Sequence, residues 1–231
     1  VVNKETKLGG KFAMEILELM KQRHSVRQYK DIAIGPEQRI ALNHLIEEIN
    51  GEAGLHIQIF YDEPQCFDSM MAHYGKFSGV KNYIALVGKK SPKLEEALGY
   101  YGEKIVLNVQ ELGLNSCWVA MTHGKSQADV RKGEKQICLI AFGHGETQGA
   151  PHKNKPLQAV CNRTENMPEW FLNGMEAALL APTAMNQQKF FFELFSDSKV
   201  NAVCGKGFYT KLDLGIVKYH FEIASGRKLQ S

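Results

Sequence analysis

LAPTAMNQQKFFFEL, residues 180–194, joins two kinds of periodicity in fifteen positions. It closes an apolar helical pattern just before Pro182, passes through Thr183, Asn186, Gln187 and Gln188, and enters an apolar run at Phe190. A residue preceding proline is pushed out of the helical region, and consecutive aromatic residues suit a buried strand. The reading is therefore a helix from Pro168 to Leu180 and a strand over 189–195.

The remaining elements follow on either side. Downstream, the pattern predicts a helix from about Leu212 to Ala224, ending near Gly226. Upstream lie predicted strands at QICLIAFG (136–143), NYIALVG (82–88) and LHIQIFY (55–61), the last alternating apolar and polar positions. Between and before them the three-and-four spacing predicts helices over about 12–23, through GPEQRIALNHLIEEIN (35–50), and over 91–112 closed by Gly113. Helices and strands mix without the alternation of a doubly wound parallel sheet, so the class is α+β, a mixed sheet covered by helices.

Composition narrows the function. The 231 residues are 44% hydrophobic, enough for a sizeable core, and 28 Lys plus Arg against 25 Asp plus Glu leave a formal charge of only +3. That balance disfavours nucleic acid and points to a small-molecule partner. Five scattered cysteines without a CxxC pair suggest reduced thiols in a cytoplasmic protein. No run approaches the roughly 20 apolar residues of a membrane span, and the opening VVNKETKLGGKFAM lacks a signal peptide's apolar centre. Residues 1–13 read as an arm, native or left over from expression. FGHGE (142–146) and CGKGF (204–208) stop short of GxGxxG and read as turns, and neither HExxH nor GxSxG occurs.

Three groups of residues remain that could carry chemistry. QRHSVRQY (22–29) brings Arg23, His24, Ser25 and Arg27 together, and HKNKPL (152–157) adds Lys153 and Lys155. The third is the loop already quoted, whose amides and hydroxyl suit hydrogen bonding to a flat heteroaromatic ring. A simple helix cap would need only one of them.

At these residues the chain resembles a known family. RHSVRQY is similar to the RRSxRxF signature of the FMN-dependent nitroreductases, and APTAMNQQKFFF to their APSxxNxQPWxF loop. NVQELGLNSCWVA (108–120) is similar to their helix ending in LGLGxxW, and IAFGHGETQGAPHKNKPL to their strand, FGxP turn and closing K-x-R/K-P-L element. One departure is in order: the polar loop follows the K-x-K-P-L element here, whereas in the family it comes soon after the arginine motif. The stretches GMEAALLAPTAMNQQKFFFELF and DLGIVKYHFEIASG look like a shortened second copy. The family forms a homodimer with FMN at its interface, so the resemblance implies a fused, single-chain pseudo-dimer that is monomeric and carries one flavin site. Its boundaries would be 14–163 for the half with the phosphate residues and 164–231 for the half with the ring loop.

The resemblance also implies roles. Arg23, Ser25, Lys153 and Lys155 would hold the FMN phosphate, with His24 as a backbone or ring contact. Arg27 would reach the N1/O2 edge of the ring, where cationic charge favours the reduced flavin. Pro182, Thr183, Ala184, Asn186 and Gln188 would line the ring, together with Trp118 and a backbone amide near Ala120 facing N5. Lys189 and Met185 replace the family's proline and frequent glycine, and a thioether at 185 could narrow the acceptor pocket. The implied function passes a hydride from NAD(P)H through flavin N5 to an electron-poor acceptor such as a nitroaromatic or quinone. No catalytic side chain is expected. Alternatives are a flavin-binding sensor or carrier without turnover, and a reductive dehalogenase-like relative.

Overall fold

A computed structural model describes residues 15–163, 165–196 and 199–229. The arm expected at 1–13, and the first residues of the expected opening helix, lie outside the described residues. The chain divides into two compact units, Arg23–Ala150 and a second that joins the N-terminal helix to Pro151–Ser231.

The unit Arg23–Ala150 is built on a four-stranded antiparallel sheet in the order β1-β2-β4-β3, with β1 at Gln58–Phe60, β2 at Asn82–Lys89, β3 at Asn115–Val119 and β4 at Glu134–Gly143. β2 is buried at every position but its last, so both of its faces are covered. On one face Tyr83, Ala85, Val87, Leu139, Ala141, Cys117 and Val119 join Val26, Tyr29, Phe67 and Phe77 in a single cluster, as the period of two requires. The other face meets α4 (Leu94–Glu111), where Gly102 lets Trp118 and Leu86 approach the helix; a Cβ there would stand 2.5 Å from the Trp118 ring. α2 (Pro36–Ala53) packs on α4 and β1, opening with proline at its first turn and closing on Gly54 in the left-handed region. A one-turn helix, α3, spans Met70–Tyr74.

In the second unit α1 occupies residues 15–22, α5 spans Glu169–Leu180 and α6 spans Thr210–Ser225. β5 (Phe190–Ser196) and β6 (Lys199–Cys204) form an antiparallel pair. The other edge of β5 is taken by residues 160–162: Phe192 N donates to Val160 O at 2.8 Å, and Asn162 N to Phe192 O at 3.2 Å. Phe192 stacks on Phe221 of α6 at 4.7 Å between centroids, and Phe171 of α5 meets the same ring edge-on at 5.8 Å.

The α+β reading holds, with differences in detail. NSCWV and KVNAVC are strands that the sequence reading does not mark; the helix before the first ends at Gly113, at φ 74, as expected, and β3 begins two residues later. β1 is shorter than the alternation predicted: Gln58, Ile59 and Phe60 pair in register with β2, and before them His56 N makes a single bond to Val87 O at 3.0 Å.

Candidate functional site

The predicted residues fall in both units. In Arg23–Ala150, the cluster 23–29 leaves the helix and runs extended. Val26 N donates to Ser116 O and Tyr29 N to Ser78 O, while Arg27 O accepts from Ser78 N, all at 3.0 Å; Lys30 N reaches His144 O at 2.8 Å. Tyr29 Oη donates to Val26 O at 2.6 Å, fixing the stretch from inside the core. Gly79 and Gly149, at φ +67 and +73, allow closest approach: a Cβ on Gly79 would collide with Tyr29 O, and one on Gly149 would lie 2.7 Å from His24 Cβ and 3.1 Å from Ser25 O.

Arg23 is only 3% exposed. Its Nε stands 3.9 Å from Glu103 Oε1, an ion pair without a hydrogen bond, and Nε and Nη1 have no hydrogen-bond partner. Glu103, fully buried on α4, accepts from Trp118 Nε1 through Oε2 at 2.9 Å. The carboxylate thus balances the guanidinium's charge through Oε1 while Oε2 takes the Trp118 indole N–H. Buried donors without acceptors are costly, about 1–3 kcal/mol each. Ser25 lies beside Cys117, whose thiol is pushed up by burial, with Arg27, Ser25 and Arg23 opposing the shift. Arg27 is exposed, its guanidinium carbon 5.9 Å from the Phe77 ring centre. Ala120, half-buried, directly follows β3.

In the other unit the quoted loop and HKNKPL are bound to one another. Lys153 O accepts from Asn186 Nδ2 at 2.8 Å and from Gln188 Nε2 at 2.9 Å. Lys155 N donates to Gln188 Oε1 at 2.9 Å, and Lys155 Nζ to Gln188 O at 3.0 Å. Thr183 Oγ1 accepts from Gln188 N at 3.0 Å. The amides expected to face a ring are therefore largely engaged with backbone, and the Lys155 ammonium anchors the loop. Pro182 and Ala184 are half-buried, whereas Met185 is fully exposed, so its thioether fills no gap in the protein. Met185, Asn186 and Gln188 have φ of 51, 52 and 45°, a left-handed geometry rare outside glycine that needs many restraints to persist.

These observations can be set beside known proteins. The model of the family described as "Putative TM nitroreductase" matches residues 15–225. The chain belongs to that family. It is accordingly an oxidoreductase of the nitroreductase class. No curated protein matched the sequence. Among solved structures, a "putative nitroreductase" from Thermotoga maritima superposes with a TM-score of 0.65 at 21% identity, covering 90% of this chain and 82% of that one. A nitroreductase-like protein from Streptococcus mutans gives 0.55 at 13%, and a "putative nitroreductase" in complex with FMN from Desulfovibrio desulfuricans gives 0.51 at 20%. Each of these two covers 66% of this chain and 98% of its own. At such identities the likeness shows a shared nitroreductase-like fold.

Two partners of predicted residues, one in each unit, escaped the sequence reading. Glu103 sits in LGYYGEKIVL, where nothing separates a buried glutamate from a solvated one except the glycine one position earlier that admits Trp118. Asp213, in the first turn of α6, accepts from Ala184 N through Oδ1 at 2.9 Å and from Gln187 Nε2 through Oδ2 at 2.7 Å. Its position between Leu212 and Leu214 was a usable signal, since a lone carboxylate in an apolar helix start seldom lacks a bonding partner. No helix among the described residues is long and apolar enough to cross a membrane.

Proposed function

We propose that the chain binds FMN and, with NAD(P)H as donor, reduces an electron-poor small molecule such as a nitroaromatic or a quinone. The observation that carries this is the buried Arg23 guanidinium with Nε and Nη1 unpartnered. A phosphate supplies the anionic acceptors that those donors lack, and charge-assisted bonds offset the cost of burying both groups. The FMN complex of the Desulfovibrio relative supports the same identification.

In this reading Arg23 and Ser25 hold the phosphate, with His24 beside them and Lys153 as a further cation; Lys155 contributes mainly by fixing the ring loop. Arg27 supplies positive charge at the N1/O2 edge, and Trp118, Ala120, Pro182, Thr183, Ala184, Asn186 and Gln188 are assigned to the ring. Bound FMN would supply two-electron chemistry at N5. The residues assigned here bind and orient, and none of them is asked to donate a proton. The protein is further proposed to be cytoplasmic and a single-chain counterpart of the family's dimer.

Purified protein should be yellow, or become so on adding micromolar FMN, and should release FMN on denaturation. Anaerobic titration with NADH and with NADPH should then bleach the visible band. Protein that stays colourless and fails to bind added FMN would refute the proposal; a bound flavin that neither nicotinamide bleaches would leave a carrier instead of a reductase.

A further inference from the structure

We infer that Asp213 is a positioning residue for the flavin-ring loop, an inference that rests on the FMN reading above. Asp213 is 4% exposed and sits in the first turn of α6, where the helix N-terminus favours an anion. Neither carboxylate oxygen serves the helix itself. Oδ1 takes the Ala184 N–H and Oδ2 the Gln187 side-chain amide; Gln187 Nε2 also donates to Phe208 O at 2.9 Å. One carboxylate therefore ties the start of the loop, its middle and the segment before α6 into one unit.

The backbone shows why such a tie is needed. Met185, Asn186 and Gln188 on the loop, and Tyr209 at the N-cap of α6, all have φ between 45 and 57°. Asn186 and Gln188 are held from the far side by Lys153 O. Ala184 and Gln187 have Asp213 as their side-chain partner, so removing its charge releases the near side alone.

The chemistry of the carboxylate is specific to this job. Asparagine keeps one acceptor for Ala184 N–H, but its Nδ2 would face the Gln187 amide, donor against donor. Flipping Gln187 relieves that clash and turns its oxygen toward Phe208 O. Either way one bond of the three is lost, and the left-handed residues lose a restraint.

The test compares wild type and Asp213→Asn, with Arg23→Ala as a control, by titration with FMN and riboflavin. Asp213→Asn is expected to weaken both flavins alike, by on the order of tenfold. Arg23→Ala should weaken FMN alone. At saturating FMN the visible band of the Asp213→Asn complex should shift toward that of free flavin, which a mere loss of stability would not produce. In flavin-free protein, amide exchange should accelerate at 183–188 and leave α5 unchanged. Unaltered exchange and unaltered affinity in Asp213→Asn would overturn the inference while leaving the FMN reading intact, as would acceleration spread evenly over the unit. Wild type that binds no flavin would overturn both.

Discussion

Arg23 and Asp213 are both buried charged groups, and they differ in how far their polar atoms are engaged. Arg23 has donors to spare, so Arg23→Ala should weaken FMN binding by on the order of 2 kcal/mol while sparing riboflavin, as read by fluorescence titration. Asp213 has both oxygens engaged, yet burial raises its pKa from the ordinary 3.8 to about 6, against the pull of Ala184 N–H and Gln187. A carboxyl with a raised folded pKa stabilises the protein fully below its unfolded pKa and loses that contribution as pH rises through the folded value. Wild-type stability relative to Asp213→Asn should therefore decline from pH 4 to pH 7, by roughly 3 kcal/mol at most. Urea unfolding of both proteins across that range checks it, and a flat difference would mean that Asp213 titrates normally. Arg23 could be found from its motif because arginine, histidine and serine crowd together there. Glu103 could not, since its importance lies in burial that only the fold creates.

Among the elements, those with a long or strongly apolar pattern were readable: α2, α4, α5, α6, β2, β4 and β5 all lie where periodicity put them. β3 and β6 were not, for different reasons. NSCWV follows a tight left-handed glycine and is only five residues long, too short for its own alternation to stand out. KVNAVC alternates weakly and pairs on one side with β5, which alone shows it to be a strand. The extended run of 25–29 is likewise defined by what it bonds to, and not by its own propensities. The α5–α6 contact yields a prediction in which two effects compete. Gly174→Ala within a helix would ordinarily stabilise by about 1 kcal/mol. Here the added Cβ would lie 2.5 Å from the Phe221 ring, which is locked between Phe171 and Phe192. Overpacking of this kind costs about 1–3 kcal/mol. The variant should therefore be less stable than wild type, with a lower midpoint of thermal unfolding; an increase would show that the Phe221 cluster can yield.

For the whole molecule the informative quantity is how much chain each relative accounts for. The Streptococcus mutans and Desulfovibrio desulfuricans structures are matched over nearly their full lengths, yet leave about a third of this chain unmatched, whereas the Thermotoga maritima structure matches 90% of it. A chain with that surplus fits the proposed fusion, in which one polypeptide carries what two subunits otherwise supply. The arginine cluster occurs once in the sequence, and so does the APTAMNQQ loop. If both serve the same flavin, saturation should come at one FMN per chain, and binding should not depend on protein concentration. A homodimer completed by exchange between subunits would instead lose flavin on dilution, because mass action couples assembly to occupancy. Light scattering combined with FMN titration at two protein concentrations well apart separates the cases. A single-chain mass with unit stoichiometry at both supports the fusion, and a twofold mass whose flavin content falls on dilution would refute it.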